Sequence, residues 1–153
     1  MFHEVGITVR EILELPEFSG VTVAGGESGL ERVVTNINVM EVPDILDWVR
    51  EGDMLLTTGY AIKDNPDAQK ALLPTLARKG LAVLGMKPKR YIDAIPAHMI
   101  TAADELGIPL LELPREANFS DLISAVLAEL VNRQSRFVHG SLAAHRKVIN
   151  LLL

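Results

Sequence analysis

Hydrophobic and polar positions alternate in short blocks that change period along the chain. Val9, Ile12 and Leu13 mark one face of a short helix, which Pro16 stops. Thr8 stands where its N-cap belongs, and Glu11 follows three residues later, as a capping box requires. Residues 21–24 form a β-branched run closed by the turn Gly25-Gly26. Residues 33–39 predict one strand, with Val33, Thr35, Ile37 and Val39 on one face and Val34, Asn36 and Asn38 on the other. Pro43-Asp44 opens a helix carrying Ile45, Leu46, Trp48 and Val49, with Gly52 beyond its end. Residues 54–56 read as a buried strand. Asn65 and Pro66 suit the N-cap and first position of the next helix, which Gly80 ends; Pro74 predicts a kink or early break. A strand at 81–84, a helix at 95–106 ended by Gly107, and a strand at 108–113 ended by Pro114 complete this pattern.

The order is α-β-β-α-β-α-β-α-β-α. Three successive strand–helix–strand units, 33–57, 54–85 and 81–113, predict an α/β fold: a mostly parallel sheet with helices on its faces. A C-terminal helical extension follows. Ser120 can cap it, and Phe119, Leu122, Ile123, Val126, Leu127, Leu130 and Val131 form a broad apolar stripe. A weaker seam continues through Phe137, Ala144 and Leu151, interrupted by Arg133 and Gln134, and Gly140 leaves open one long helix or two. The stripe makes Phe119, Leu122, Ile123, Val126, Leu127, Leu130 and Phe137 candidate dimerisation residues. The apolar end Leu151-Leu152-Leu153 suggests a chain cut from a longer protein, or an end that pairs with another subunit. The expected division is an α/β domain at 1–117 and an extension at 118–153.

Composition narrows the function. A chain of 153 residues suits one domain, with or without an extension. It has no cysteine, which removes disulfides, thiolate metal sites and cysteine nucleophiles. No apolar run is long enough to span a membrane and the start lacks a signal pattern, so the expected location is the cytoplasm. Residues 1–130 hold eleven basic and all twenty acidic residues, a net of −9; residues 131–153 hold four basic and no acidic residues, a net of +4. The acidic body would repel a phosphate backbone, and the basic tail is too sparse for a nucleic-acid module. Aromatic residues are 5% of the chain, too few for stacking platforms.

In open parallel sheets, ligands bind beyond the carboxyl ends of the strands. Those ends offer Glu41 and Asp44, then Thr57, Thr58, Gly59 and Tyr60, then Lys87, then Glu112; Trp48 could line a pocket beside them. Hydroxyls, amides freed by glycine, one ammonium and a few carboxylates suit a small polar molecule. The plainer alternative is that these are ordinary turn residues, that Trp48 belongs to the core, and that Lys87, Lys89 and Arg90 form a solvated loop. No phosphate loop, dinucleotide fingerprint, nucleophile elbow or HExxH is present, and His3, His98, His139 and His145 lack metal-ligand spacing. Neither catalysis nor a cofactor or metal is expected.

Five stretches, ITVREILELPEF, GLERVVTNINVMEVPD, DWVREGDMLLTTGYA, GLAVLGMK and AADELGIPLLELPRE, together resemble the N-terminal domain of the PucR-type, purine-catabolism-regulator family of bacterial transcription factors. The resemblance runs in order from about residue 7 to 125. GLERVVT is also similar, more distantly, to the N-terminal domain of HPr kinases. The PucR resemblance implies a regulatory domain that senses a small metabolite, ahead of a middle domain and a helix-turn-helix absent from this sequence. It implies a small-molecule effector; the apolar stripe adds the expectation of a homodimer, and the acidic charge and short apolar runs that of no direct contact with nucleic acid or membrane. It carries over no proven site residue and no ligand. The alternative is a dimerisation module without a ligand of its own.

Overall fold

The computed structural model describes residues 5–41 and 47–152, with side chains as far as Arg136. Seven strands and four helices occur among them. They are β1 (Ile7–Thr8), α1 (Val9–Leu13), β2 (Thr22–Gly25), β3 (Val33–Val34), β4 (Asn36–Met40), β5 (Asp53–Thr57), α2 (Pro66–Arg78), β6 (Val83–Met86), α3 (Ala97–Leu106), β7 (Leu110–Glu112) and α4 (Phe119–Leu152). The main sheet has the order β2-β7-β6-β5-β4. The pairs β4–β5, β5–β6 and β6–β7 are parallel, and β2 joins β7 antiparallel at one edge with a register shift between Val23 and Gly25. The mostly parallel α/β sheet is therefore as expected.

Local signals act as the sequence implies at several points. Thr8 Oγ1 accepts from Glu11 N–H at 3.2 Å and Glu11 Oε1 accepts from Thr8 N–H at 3.1 Å, a complete capping box. Asn65 Oδ1 accepts from Ala68 N–H at 3.0 Å at the start of α2, and Gly107 closes α3 with φ +66.

Elsewhere tertiary structure overrides the pattern. The strand expected at 33–39 is two strands: β3 pairs antiparallel with β1 in a separate small sheet, while β4 enters the main sheet. The chain changes sheets at Thr35, whose N–H donates to Gly52 C=O at 2.9 Å. Val33 is consequently exposed and Val34 buried, the reverse of the expected facing, whereas Ile37 and Val39 do share one core. Pro74 does not break α2, which is continuous over Pro66–Arg78. Burial of Leu72, Leu73 and Leu76 holds both sides of the proline, and Lys70, whose carbonyl loses its amide partner, is exposed to water. Gly140 does not break α4, one helix of 34 residues. Most of the helix expected from Pro43 lies outside the described residues; Asp47 and Trp48 form a short turn.

Two cores lie on opposite faces of the sheet. Met54 and Leu56 of β5, Val83 of β6 and Leu111 of β7 point to the first, closed by Val9 and Ile12 of α1 and Leu122, Val126 and Leu130 of α4. Leu55, Leu84, Met86 and Leu110 point to the second, closed by Leu72, Leu73 and Leu76 of α2 and Met99 and Ala103 of α3. Adjacent side chains in each strand serve opposite cores, as the two-residue period of a strand demands.

Candidate functional site

The division between the two cores creates the site. The chain leaving β6 leads to α3 on one face, while the chain leaving the adjacent β7 leads to α4 on the other. Loops that diverge to opposite faces from neighbouring parallel strands leave a crevice at their carboxyl ends. The strand ends remain in register up to its mouth: Lys87 N–H donates to Thr57 C=O and Leu113 N–H to Met86 C=O, both at 2.9 Å.

Two adjoining recesses occupy this place. One, of about 440 Å³, is lined by Thr58, Lys87 and Arg90 on one side and by Glu116, Ala117, Asn118 and Phe119 on the other. The second, of about 460 Å³, is lined by Lys87, Pro88, Lys89, Arg90 and Arg115. Lys87 belongs to both and bridges the loops, its Nζ donating to Ala117 C=O at 2.6 Å and lying 5.9 Å from the Phe119 ring centroid. A larger groove of about 600 Å³ lies beyond the 114–118 turn, carries Glu17, Glu116 and Asp121, and has no basic lining residue.

The residues nominated from sequence divide into groups. Thr58 and Lys87 line the crevice. Glu41 and Thr57 hold its floor. The Glu41 carboxylate accepts from Thr58 N–H at 3.1 Å and Thr58 Oγ1–H at 2.6 Å, and fully buried Thr57 accepts from Gly59 N–H at 2.9 Å. Gly59 has φ +83, and a Cβ there would sit 2.4 Å from Ile92 Cδ1. Tyr60 is exposed, packs edge-on against Tyr91 at 4.9 Å, and receives Lys63 Nζ 4.6 Å from its ring centroid. Glu112 is exposed at the end of β7. Trp48, 69% exposed, lies five residues ahead of β5, on the approach to that strand's amino end, and lines neither recess. Asp44 lies outside the described residues. Lys89 and Arg90, expected in a solvated loop, and Arg115, which carries no sequence expectation, also line the recesses. The available signal was their position directly after two strands that prove to be neighbours.

The apolar stripe of α4 divides between the chain's own core and an outward face. Leu122, Val126 and Leu130 are buried in the first core, and Phe119 and Ile123 pack against it, because this face must cover the open side of the sheet. Those five serve the chain's own core. Leu127, 41% exposed, and Val131, 61% exposed, point away from it; the Phe137 side chain lies outside the described residues. Arg133 ties the next turn of α4 to the body. Its Nη2 donates to Glu11 Oε2 at 2.6 Å, its Nη1 to Gly6 C=O at 3.2 Å, and its Nε to Glu129 at 2.9 Å. The Arg133 bonds, then the Thr8 backbone and hydroxyl, hold the Glu11 carboxyl down at about 2. Among the described residues no group of three or more His, Asp or Glu side chains can hold a metal, and no helix is long and apolar enough to cross a membrane.

The fold and crevice define an open α/β domain with a polar ligand-sized cleft beside the root of a long helix. Residues 11–130 match the family model described as the purine catabolism regulatory protein-like family. The chain is 32% identical over 147 residues to the purine catabolism regulatory protein of Bacillus subtilis (strain 168), covering 96% of this chain and 28% of that protein. It is 22% identical over 129 residues to the transcriptional activator PmfR of Paenarthrobacter nicotinovorans, covering 84% of this chain and 27% of that protein. The chain thus spans little more than a quarter of these relatives, which are regulators of transcription. Among solved structures, the CBS and DRTGG domains of the regulatory region of Clostridium perfringens pyrophosphatase, complexed with the activator diadenosine tetraphosphate, share the fold. The TM-score is 0.53 at 14% identity, covering 82% of this chain and 51% of that one. The chain belongs to the purine catabolism regulatory protein-like family.

Proposed function

We propose that this chain is the effector-sensing region of a PucR-type transcriptional regulator, without catalytic activity of its own. Residues 1–117 receive a small metabolite at the crevice between the β6 and β7 loops. Residues 118–153 relay its presence to a DNA-binding domain outside this sequence. The observation that carries this reading is the Lys87 ammonium on the Ala117 carbonyl, two residues before α4. A ligand that engages Lys87 acts directly on the root of the relay helix. The two regulators named as relatives, and the activator named for the pyrophosphatase regulatory region, point the same way. Ordinary allosteric coupling requires the ligand to favour one disposition of α4 by about 1–3 kcal/mol. The test is hydrogen exchange of the chain with and without each of a panel of purine-pathway intermediates, amino acids and organic acids. Protection at residues 87–91 together with 115–122 supports the reading; protection elsewhere, or none, contradicts it.

The second reading is a homodimerisation module without its own ligand. It is favoured by Leu127 and Val131, large apolar side chains left exposed on adjacent turns of α4. Light scattering of Leu127→Glu/Val131→Glu against the parent chain tests it, with loss of a dimer as the expected result.

A further inference from the structure

The lining of the crevice is unevenly charged. Lys87, Lys89 and Arg90 reach it from the loop after β6, and Arg115 from the loop after β7, against the single carboxylate Glu116. These four cations converge on a body whose first 130 residues carry a net charge of −9. Among the described residues the ion pairs engage Arg10, Arg133 and Arg136, and none engages these four. Clustering like charges costs Coulombic energy unless an opposite charge joins them. The backbone carries a further cost: Lys89 has φ +91, alone among the described non-glycine residues, and its N–H donates to Ile92 C=O at 2.6 Å. Such a conformation is disfavoured for a side chain with a Cβ and persists where the surroundings impose it. Here it sits between two of the converging cations.

We propose that this cluster is an anion subsite, taking a carboxylate or phosphate group of the effector, with Arg90 and Arg115 closing on it from opposite sides of the crevice. The inference rests on the effector-sensing reading and adds the charge class of the ligand. Arginine presents a planar fork of donors suited to either group, and Lys87 and Lys89 supply point charges. The rest of the ligand lies toward Thr58, whose backbone and hydroxyl the Glu41 carboxylate orients. An anion that draws on Lys87 competes with the Ala117 carbonyl for the same ammonium.

The experiment is an amide NMR titration of the full chain with inorganic phosphate and, separately, with malonate, ionic strength held constant with sodium chloride. Arg90→Ala/Arg115→Ala is titrated in parallel, after its ligand-free spectrum and melting curve establish that it is folded. The expected result is saturable shifts at residues 87–91 and 115–117, with affinity about tenfold weaker in the double variant. Saturation by phosphate alone identifies a phosphorylated ligand, and by malonate alone a carboxylate. Failure of both anions to saturate, or equal affinity in parent and folded variant, overturns the inference. Adenine serves as the neutral control. If it moves Thr58 and the 115–122 amides alike in both proteins while the anions fail, the subsite is wrong and the sensing reading stands.

Discussion

Arg133 Nη2 lies 2.6 Å from Glu11 Oε2, so the long C-terminal helix is fastened to the same carboxylate that completes the capping box of α1. The Glu11 carboxyl sits at about 2, chiefly through Arg133 and secondarily through Thr8, against an ordinary 4.5. A carboxyl lowered on folding contributes stability that is fully present above its unfolded value and lost as pH falls toward the folded one. The contribution is therefore complete above about pH 4.5 and declines between there and about pH 2. Both side chains are partly exposed, so the ion pair itself is worth about 0.5–1 kcal/mol. Glu11→Gln should lower stability by that order at pH 7 and lose less than the parent on acidification. Urea unfolding at pH 7 and pH 3 measures both.

Thr8→Ala removes the other half of the same box while sparing the Arg133–Glu11 pair. It should cost about 1 kcal/mol, the usual value of an N-cap. A double-mutant cycle with Glu11→Gln should give non-additive losses, since the two residues bond each other.

Leu122 and Leu127 separate the two uses of α4. Leu122→Ala opens a hole in the first core and should cost about 2–5 kcal/mol. Leu127→Ala, on the outward face, should change the stability of a monomer by no more than about 0.5 kcal/mol. Thermal melts at low protein concentration compare them.

Gly26 is a stringent backbone test. It has φ +70, and a Cβ there would lie 1.8 Å from Ile108 C=O, so the strand edge at β2 and β7 would have to part. Its N–H also donates to Asp104 Oδ1 at 2.7 Å. Gly26→Ala should cost about 3 kcal/mol or more in chemical unfolding.

What could be read from the sequence was what local chemistry decides. Thr8 with Glu11, Asn65 with Pro66, and Gly107 act within one or two turns of chain, and the structure uses each as expected. Three parallel strand pairs follow from the alternation of elements. What could not be read depends on distant partners. Thr35 splits the single strand expected at 33–39 because Gly52, seventeen residues on, takes its N–H. Pro74 is tolerated because leucines on both sides are buried. Amphipathicity announced the apolar face of α4 but does not say whether the chain itself or a partner covers it. The crevice shows the same limit. Thr58 and Lys87 stood out as strand-end residues, whereas Arg90 and Arg115 become neighbours only through the pairing of β6 with β7.

Effector sensing at the β6–β7 crevice is tested by a thermal-shift screen of the purified chain against purine-pathway intermediates, amino acids and small organic acids, with each hit mapped by amide exchange. At least one saturable ligand is expected, stabilising by about 2.7 kcal/mol at a hundred times its dissociation constant. Its protection should join residues 87–91 to the root of α4. A ligand whose protection falls away from the β6–β7 crevice, or a complete absence of hits, would contradict it.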